Sequence, residues 1–282
     1  MPGRADPERH GDEQALHHAD RIWHVGSTGR FPGHLSEISD TPTRNTRCLR
    51  FFTSAPRSFV DSDGMKIGIV GLGYVGLPLA VAFAEAGDDV VGVDQSTAKV
   101  ERLRRSDSDV EDVSSERLRS LAPRFTATDD YRALAGCEAI LICVPTPLTE
   151  HREPDLSYLV SAASGLSRVL HEGRLVVVES TTYPGTTRER VAPILEESGL
   201  AAGRDFNLAY SPERIDPGRS GDSIRETPKV VGGLTEACSE RAVSLYGRIC
   251  DQVVPVSIGV HAARHLAWYV SYQVTGEPRS RG

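Results

Sequence analysis

Between residues 65 and 257, short apolar runs alternate with longer segments of helical spacing. KIGIV (66–70) precedes LPLAVAFAEAG (77–87), and DVVGVD (89–94) precedes STAKVERLRR (96–105), so the order reads strand, helix, strand, helix. AILICV (139–144), RLVVVES (174–180), FNLAYS (206–211), KVVGG (229–233) and QVVPVS (252–257) are apolar on both sides of the chain, as strands covered on both faces must be. Helical spacing recurs over 156–170, 186–199 and 235–250. Together these patterns predict an α/β fold, a doubly wound Rossmann-type parallel sheet in a single domain.

The two ends lack this order. Residues 1–64 hold five of the nine histidines, no lysine, and no sustained period of two or 3.6, which predicts a disordered or non-native extension. His10, His17, His18, His24 and His34 match no metal-ligand spacing, so no metal site is expected there. MKIGIVGLGYVGLPLA, from Met65, looks like the natural start of the domain, and the residues before it are readable as translated upstream sequence with no selected role. Residues 258–282 are a divergent tail, too short for a second domain.

Composition narrows the function. With 39% hydrophobic residues in 282, the chain can bury a core, while a net charge of −7 offers phosphate backbones or anionic lipid no broad attraction. Neither nucleic acid nor membrane is therefore an expected partner. No run of apolar residues approaches a membrane span, and the N-terminus has no signal-peptide core. Residues 1–64 carry eight Arg beside nine Asp or Glu, unlike a transit peptide. Five cysteines without a CxxC pair imply no disulfide framework and fit a reducing cytoplasm.

The chemistry starts where the first strand ends. Gly71, Gly73 and Gly76 form a GxGxxG that follows KIGIV and opens a helix. There the first glycine makes a tight turn, the second lets backbone approach a pyrophosphate, and the third lets helix pack on strand. Tyr74 and Val75 complete the loop, whose helix N-terminus offers N–H groups to phosphate. Asp94, 18 residues past Gly76 at the end of the second strand, is placed to accept from adenosine ribose hydroxyls and to repel a 2′-phosphate, which favours NAD over NADP. The bland alternative is a glycine-rich turn with no ligand.

With these residues in view, the chain resembles the UDP-glucose/GDP-mannose dehydrogenase family, and within it the bacterial UDP-N-acetylhexosamine 6-dehydrogenases. VPTPLTEHREPDLSYL (144–159), ESTTYPGTT (179–187), SPERIDPG (211–218) and TPKVVGG (227–233) carry the likeness, which spans Met65 to about Ser257. The resemblance implies oxidation of a UDP-sugar's C6 alcohol to a uronate through a cysteine thioester, with two NAD reduced. It implies that Thr182 holds a catalytic water, that Glu213 does acid/base work, and that Lys99 and Thr146 touch NAD. Pro217 stands where relatives acting on UDP-glucose have a second glutamate, which points to the N-acetylhexosamine branch. Other readings stay open: Thr182 as the N-cap of the helix that follows, Glu213 as a solvated loop carboxylate, and His151 and Arg152 as either substrate-facing or plain surface residues.

The family's later elements are a helix with a KLxxN pattern and a GGxCxPxD loop bearing the nucleophilic cysteine, and neither motif occurs in the 282 residues. The only lysines are Lys66, Lys99 and Lys229, and Cys238 and Cys250 sit in a helical pattern as small buried residues. The expectation is therefore a fragment that binds NAD without the catalytic thiol. The helix through which the family forms homodimers is missing from it too. The alternative from another class is a non-catalytic NAD-binding protein or an assembly partner of a full-length paralogue. A short β-hydroxyacid-type dehydrogenase would need a catalytic lysine on a helix after the Rossmann domain, and none is present.

Overall fold

The computed structural model describes residues 64–149, 154–180, 182, 185–212 and 223–256. The predicted extension, apart from Gly64, and the predicted tail lie outside the described residues, as do the five N-terminal histidines, His151, Arg152, Glu213 and Pro217.

Eight strands form one sheet: β1 (Lys66–Val70), β2 (Asp89–Val93), β3 (Phe125–Thr128), β4 (Ala139–Ile142), β5 (Leu175–Val178), β6 (Asn207–Tyr210), β7 (Lys229–Gly233) and β8 (Val253–Pro255). Their order across the sheet is β3-β2-β1-β4-β5-β6-β7-β8. The first six follow the 3-2-1-4-5-6 order of a dinucleotide-binding fold, all in parallel.

Alternate residues of each strand feed two cores. Ile67, Ile69, Leu141 and Val177 point to one, packed with α1 (Gly76–Glu85), α2 (Thr97–Arg104) and the later helix α7 (Glu236–Tyr246). Val70, Ile140, Ile142 and Val178 point to the other, against α4 (Ser157–Ser167) and α5 (Ala192–Glu196). Two short helices, α3 (Ser115–Ser120) and α6 (Ser223–Glu226), a 3₁₀ segment over Tyr131–Gly136 and a π segment over Thr187–Val191 complete the described elements.

One pairing departs from the expected all-parallel sheet: β7 runs antiparallel to β6, with Gly233 opposite Ala209 and Gly232 opposite Tyr210. A parallel neighbour requires a crossover that carries the chain back to the starting edge, usually on a helix. The described part of the 211–228 connection holds only the four-residue α6, so the chain re-enters the sheet from the edge it has just left. α7 then provides a crossover, and β8 is parallel to β7. Strand β3 was not anticipated, because FTAT is short and every second residue is polar.

The base of β1 and β2 is tied to the far end of α7. Asp88, fully buried, accepts from the backbone N–H of Met65 at 2.9 Å and from both Nε (2.9 Å) and a terminal nitrogen of Arg248. Removing one partner of a buried pair leaves the other charge uncompensated, at a cost of about 3–5 kcal/mol. Asp88→Ala is accordingly expected to lower the melting temperature by roughly 6–20 °C in a domain of this size. A shift below about 2 °C in a calorimetric scan would show that Arg248 finds water instead.

Candidate active site

β1, β2, β4 and β5 end along one edge of the sheet, and the chain departs to opposite sides after β1 and β4. Such a switch point leaves a crevice outside the carboxyl ends of the strands. Here it is a cleft of about 440 Å³.

The glycine loop forms one wall. Gly71 has φ +94°, and a Cβ on it would stand 2.7 Å from the carbonyl oxygen of Cys143, so the turn closes only with glycine. Gly76 lies beneath the cleft, where a Cβ would collide with the carbonyl oxygen of Gly71. Gly73 differs, since a Cβ there would meet nothing within 4 Å and would project into open space. α1 starts at Val75 with no side chain capping it and no acid in its first turn. By contrast α2, α3 and α7 are capped by Ser96, Ser114 and Thr235. An uncapped helix start keeps its N–H groups and positive dipole end for an anion.

Asp94 closes the adjacent end. Its Oδ2 accepts from the N–H of Leu72 and its Oδ1 from the N–H of Ser96, both at 2.9 Å, so the carboxylate binds the glycine turn to the start of α2. Lys99 Nζ stands 3.5 Å from Oδ2. Seven of the residues expected to touch a cofactor, namely Gly71, Gly73, Tyr74, Val75, Asp94, Lys99 and Thr146, line this one cleft, and Gly76 supports it from below.

The opposite end was less legible. Glu179 and Ser180, which follow β5, border the cleft; Ser180 Oγ donates to the carbonyl of Val144 at 2.6 Å. The Glu179 side chain is completely buried, accepting from Lys229 Nζ at 2.8 Å and from the Tyr246 hydroxyl. Burial pushes the Glu179 carboxyl above its ordinary range, while the ammonium of Lys229 and the two hydrogen bonds pull the other way. A Lys and a Glu fifty residues apart give no sequence signal of pairing. Tyr131 also borders the cleft, with its ring packed against Gly165 of α4 and its phenol pushed up by burial and by the charge of Asp94.

Thr182 is buried at 2% exposure and is not part of the cleft lining. It is not the N-cap of the following helix either. That helix begins with a π segment over Thr187–Val191, preceded by Thr186 at the cap position, because the chain turns at Gly185 with φ +86° first. Among the described residues no cluster of three His, Cys, Asp or Glu could hold a metal ion, and no helix is long and apolar enough to cross a membrane.

A six-strand doubly wound core with a glycine turn, an uncapped helix and an acid after β2 defines the class of dinucleotide-binding domains. The sequence profile described as "UDP-glucose/GDP-mannose dehydrogenase family, NAD binding domain" matches residues 65–250, and the chain belongs to this family. Its cofactor is NAD. The chain is 39% identical over 203 residues to the UDP-N-acetyl-D-glucosamine 6-dehydrogenase of Pseudomonas aeruginosa, covering 72% of this chain and 46% of that protein. It is 38% identical over 186 residues to the UDP-N-acetyl-D-mannosamine dehydrogenase of Pyrococcus horikoshii, covering 64% and 44%. Among solved structures, the UDP-D-ManNAc dehydrogenase of P. horikoshii superposes with a TM-score of 0.64 at 36% identity, over 68% of this chain and 46% of that one. The NDP-N-acetyl-D-galactosaminuronic acid dehydrogenase of Methanosarcina mazei Go1 gives 0.64 at 38%, over 68% and 44%. The chain thus spans a little under half the length of the curated relatives it matches.

Four cysteines fall among the described residues, Cys137, Cys143, Cys238 and Cys250, all buried and unbridged. Burial pushes the thiols of Cys137 and Cys250 up to about 11, so at pH 8 only about one in a thousand of either is thiolate. In a Cys48→Ser variant, Ellman's reagent at pH 8 is expected to find almost no fast-reacting thiol in the folded protein and four after denaturation. Rapid modification of Cys250 without unfolding would show that the α7 face opens far more readily than its packing implies.

Proposed function

We propose that this chain is the cofactor half of a UDP-N-acetylhexosamine 6-dehydrogenase, with its NAD-binding domain running from residue 65 to 257. The observation that carries the reading is the convergence of the glycine turn, the uncapped start of α1 and Asp94 on a single cleft at the switch point. The open space over Gly73 is the cradle a pyrophosphate needs, since a Cβ there would fill it. The substrate class rests on the relatives' own, sugar nucleotides carrying an N-acetylhexosamine.

In this reading Gly71, Gly73, Tyr74, Val75 and Gly76 hold the pyrophosphate, and Asp94 and Lys99 face the adenosine ribose. Thr146 borders the cleft after β4, on the far side of the switch point from Asp94. Bound there, NAD supplies a hydride acceptor for the sugar's C6 alcohol. Thr182 and Glu213 are assigned to the sugar side, Thr182 to hold a water and Glu213 to move a proton. Oxidising the resulting aldehyde by hydride transfer needs a tetrahedral adduct first, which the family makes with a thiolate. The GGxCxPxD loop that would carry it is not in these 282 residues.

Two outcomes follow. NAD should bind at least about tenfold more tightly than NADP, a difference of roughly 1.4 kcal/mol, because a 2′-phosphate meets the Asp94 carboxylate. Gly73→Val should abolish NAD binding and leave the melting temperature unchanged, since its side chain enters the cleft and not the core. Calorimetric titration measures both; equal affinities, or unaltered binding by the valine variant, would remove the assignment.

With excess NAD and UDP-N-acetylglucosamine or its C4 epimer, the purified chain is expected to yield no uronate by mass spectrometry and no steady NADH signal. Stoichiometric uronate that disappears on alkylating Cys238 or Cys250 would instead make one of those thiols the nucleophile.

A further inference from the structure

Cofactor binding as assigned leaves one costly feature without a use. Glu179, Lys229 and Tyr246 bury a full ion pair and a phenol together, the ammonium lying 5.1 Å from the centroid of the Tyr246 ring. Each buried ion pays a desolvation penalty of several kcal/mol, and well-packed apolar side chains join strands and helices at least as firmly. Mere attachment of β7 and α7 to β5 therefore does not require charge. Buried charges beside a ligand cleft, in contrast, are a recurrent mark of function.

Position gives the pair a direction. Glu179 borders the cleft, whereas Lys229 and Tyr246 stand behind it and do not. Glu179 is thus the member of the pair that reaches the cleft. Glu179 follows β5 and Asp94 follows β2, on opposite sides of the switch point between β1 and β4. A dinucleotide spans such a crevice with one half on each side, and the acid after β2 takes the adenosine half. The half over β4 and β5 is then the nicotinamide, which carries a unit positive charge when oxidised and none when reduced.

We propose that Glu179, held by Lys229 and Tyr246, is an electrostatic floor beneath the nicotinamide half of the cleft and shifts the site's preference toward the oxidised cofactor. This rests on the reading of the cleft as the NAD site. Tyr246 fixes one carboxylate oxygen and Lys229 the other, so the charge cannot swing away when the ring changes state. Preorganised charge of this kind acts at an effective dielectric of about 20, where a unit charge about 12 Å away changes affinity by roughly tenfold.

The test is the ratio of NAD to NADH dissociation constants, measured on the full chain by calorimetry. Glu179→Gln keeps the shape and leaves the ammonium behind, and is expected to weaken NAD at least tenfold more than NADH. Glu179→Gln with Lys229→Gln removes both charges and so leaves none unpaired; it is expected to fold and to shift the ratio about threefold in the same direction. A purely structural pair would weaken both forms alike, since both share the adenosine and pyrophosphate contacts. The double variant carries the test if the single one unfolds. A ratio within twofold of wild type in every folded variant overturns the proposal while leaving the cleft reading intact; a wild-type chain that binds neither form overturns both.

Discussion

A sheet covered on both faces leaves its polar residues only one place to go, the ends of its strands. Every residue of β4 and β5 is buried, and the two cores that bury them meet only through the strands themselves. Polar groups that the chain retains are therefore swept to the strand ends. Asp94, Glu179 and Ser211 each come directly after a strand, and Ser180 one residue later. Because the first six strands are parallel, those ends fall on one edge, and the crevice is polar for the same reason that the sheet is apolar.

Each polar group at that edge is held by the backbone or by a buried partner. Asp94 joins the glycine turn to α2 through two main-chain N–H groups, so a shift of β2 moves that turn with it. Ser180 is fixed to the carbonyl of Val144, and Ser211 to that of Val230. At the far end, the reversal of β7 matters most. An antiparallel strand delivers its first residue to the edge where its neighbours finish, and this is how Lys229 reaches Glu179. Had β7 been parallel, Lys229 would start at the opposite edge, roughly 13 Å away along a strand of five residues.

Seven of the eight strands could be read from the chain, most plainly KIGIV, AILI and LVVV, because burial on both faces demands such apolar runs. FTAT escaped notice as the edge strand β3, where Thr126 is exposed and alternation is all that remains. The direction of β7 was not legible, since KVVGG is equally apolar either way and its antiparallel pairing with β6 is a tertiary feature. In the site, local motifs placed the residues near Gly71 and Asp94 because only α1 and β2 separate them. Glu179 gave no such signal. Its partners lie 50 and 67 residues further along, and only the folded topology brings them together.

The same burial that organises the cleft also limits its chemistry. Cys143 is 5% exposed and borders the cleft, so it is the described thiol nearest a bound ligand. Its backbone, however, is committed to β1 through the Val70 carbonyl, and a side chain on Gly71 would strike its own carbonyl oxygen. A nucleophile has to approach a carbonyl carbon to about 3 Å along a defined line, and an offset of roughly 1 Å can cost a hundredfold. Cys143 is positioned to close the glycine turn and has no freedom to make that approach. Cys250 is farther still from reactivity, with burial holding it as a thiol. On the proposed reading, the described edge of the sheet receives a hydride acceptor and sets its charge environment. A covalent step of the kind proposed would need a thiolate presented to the sugar from outside this wall.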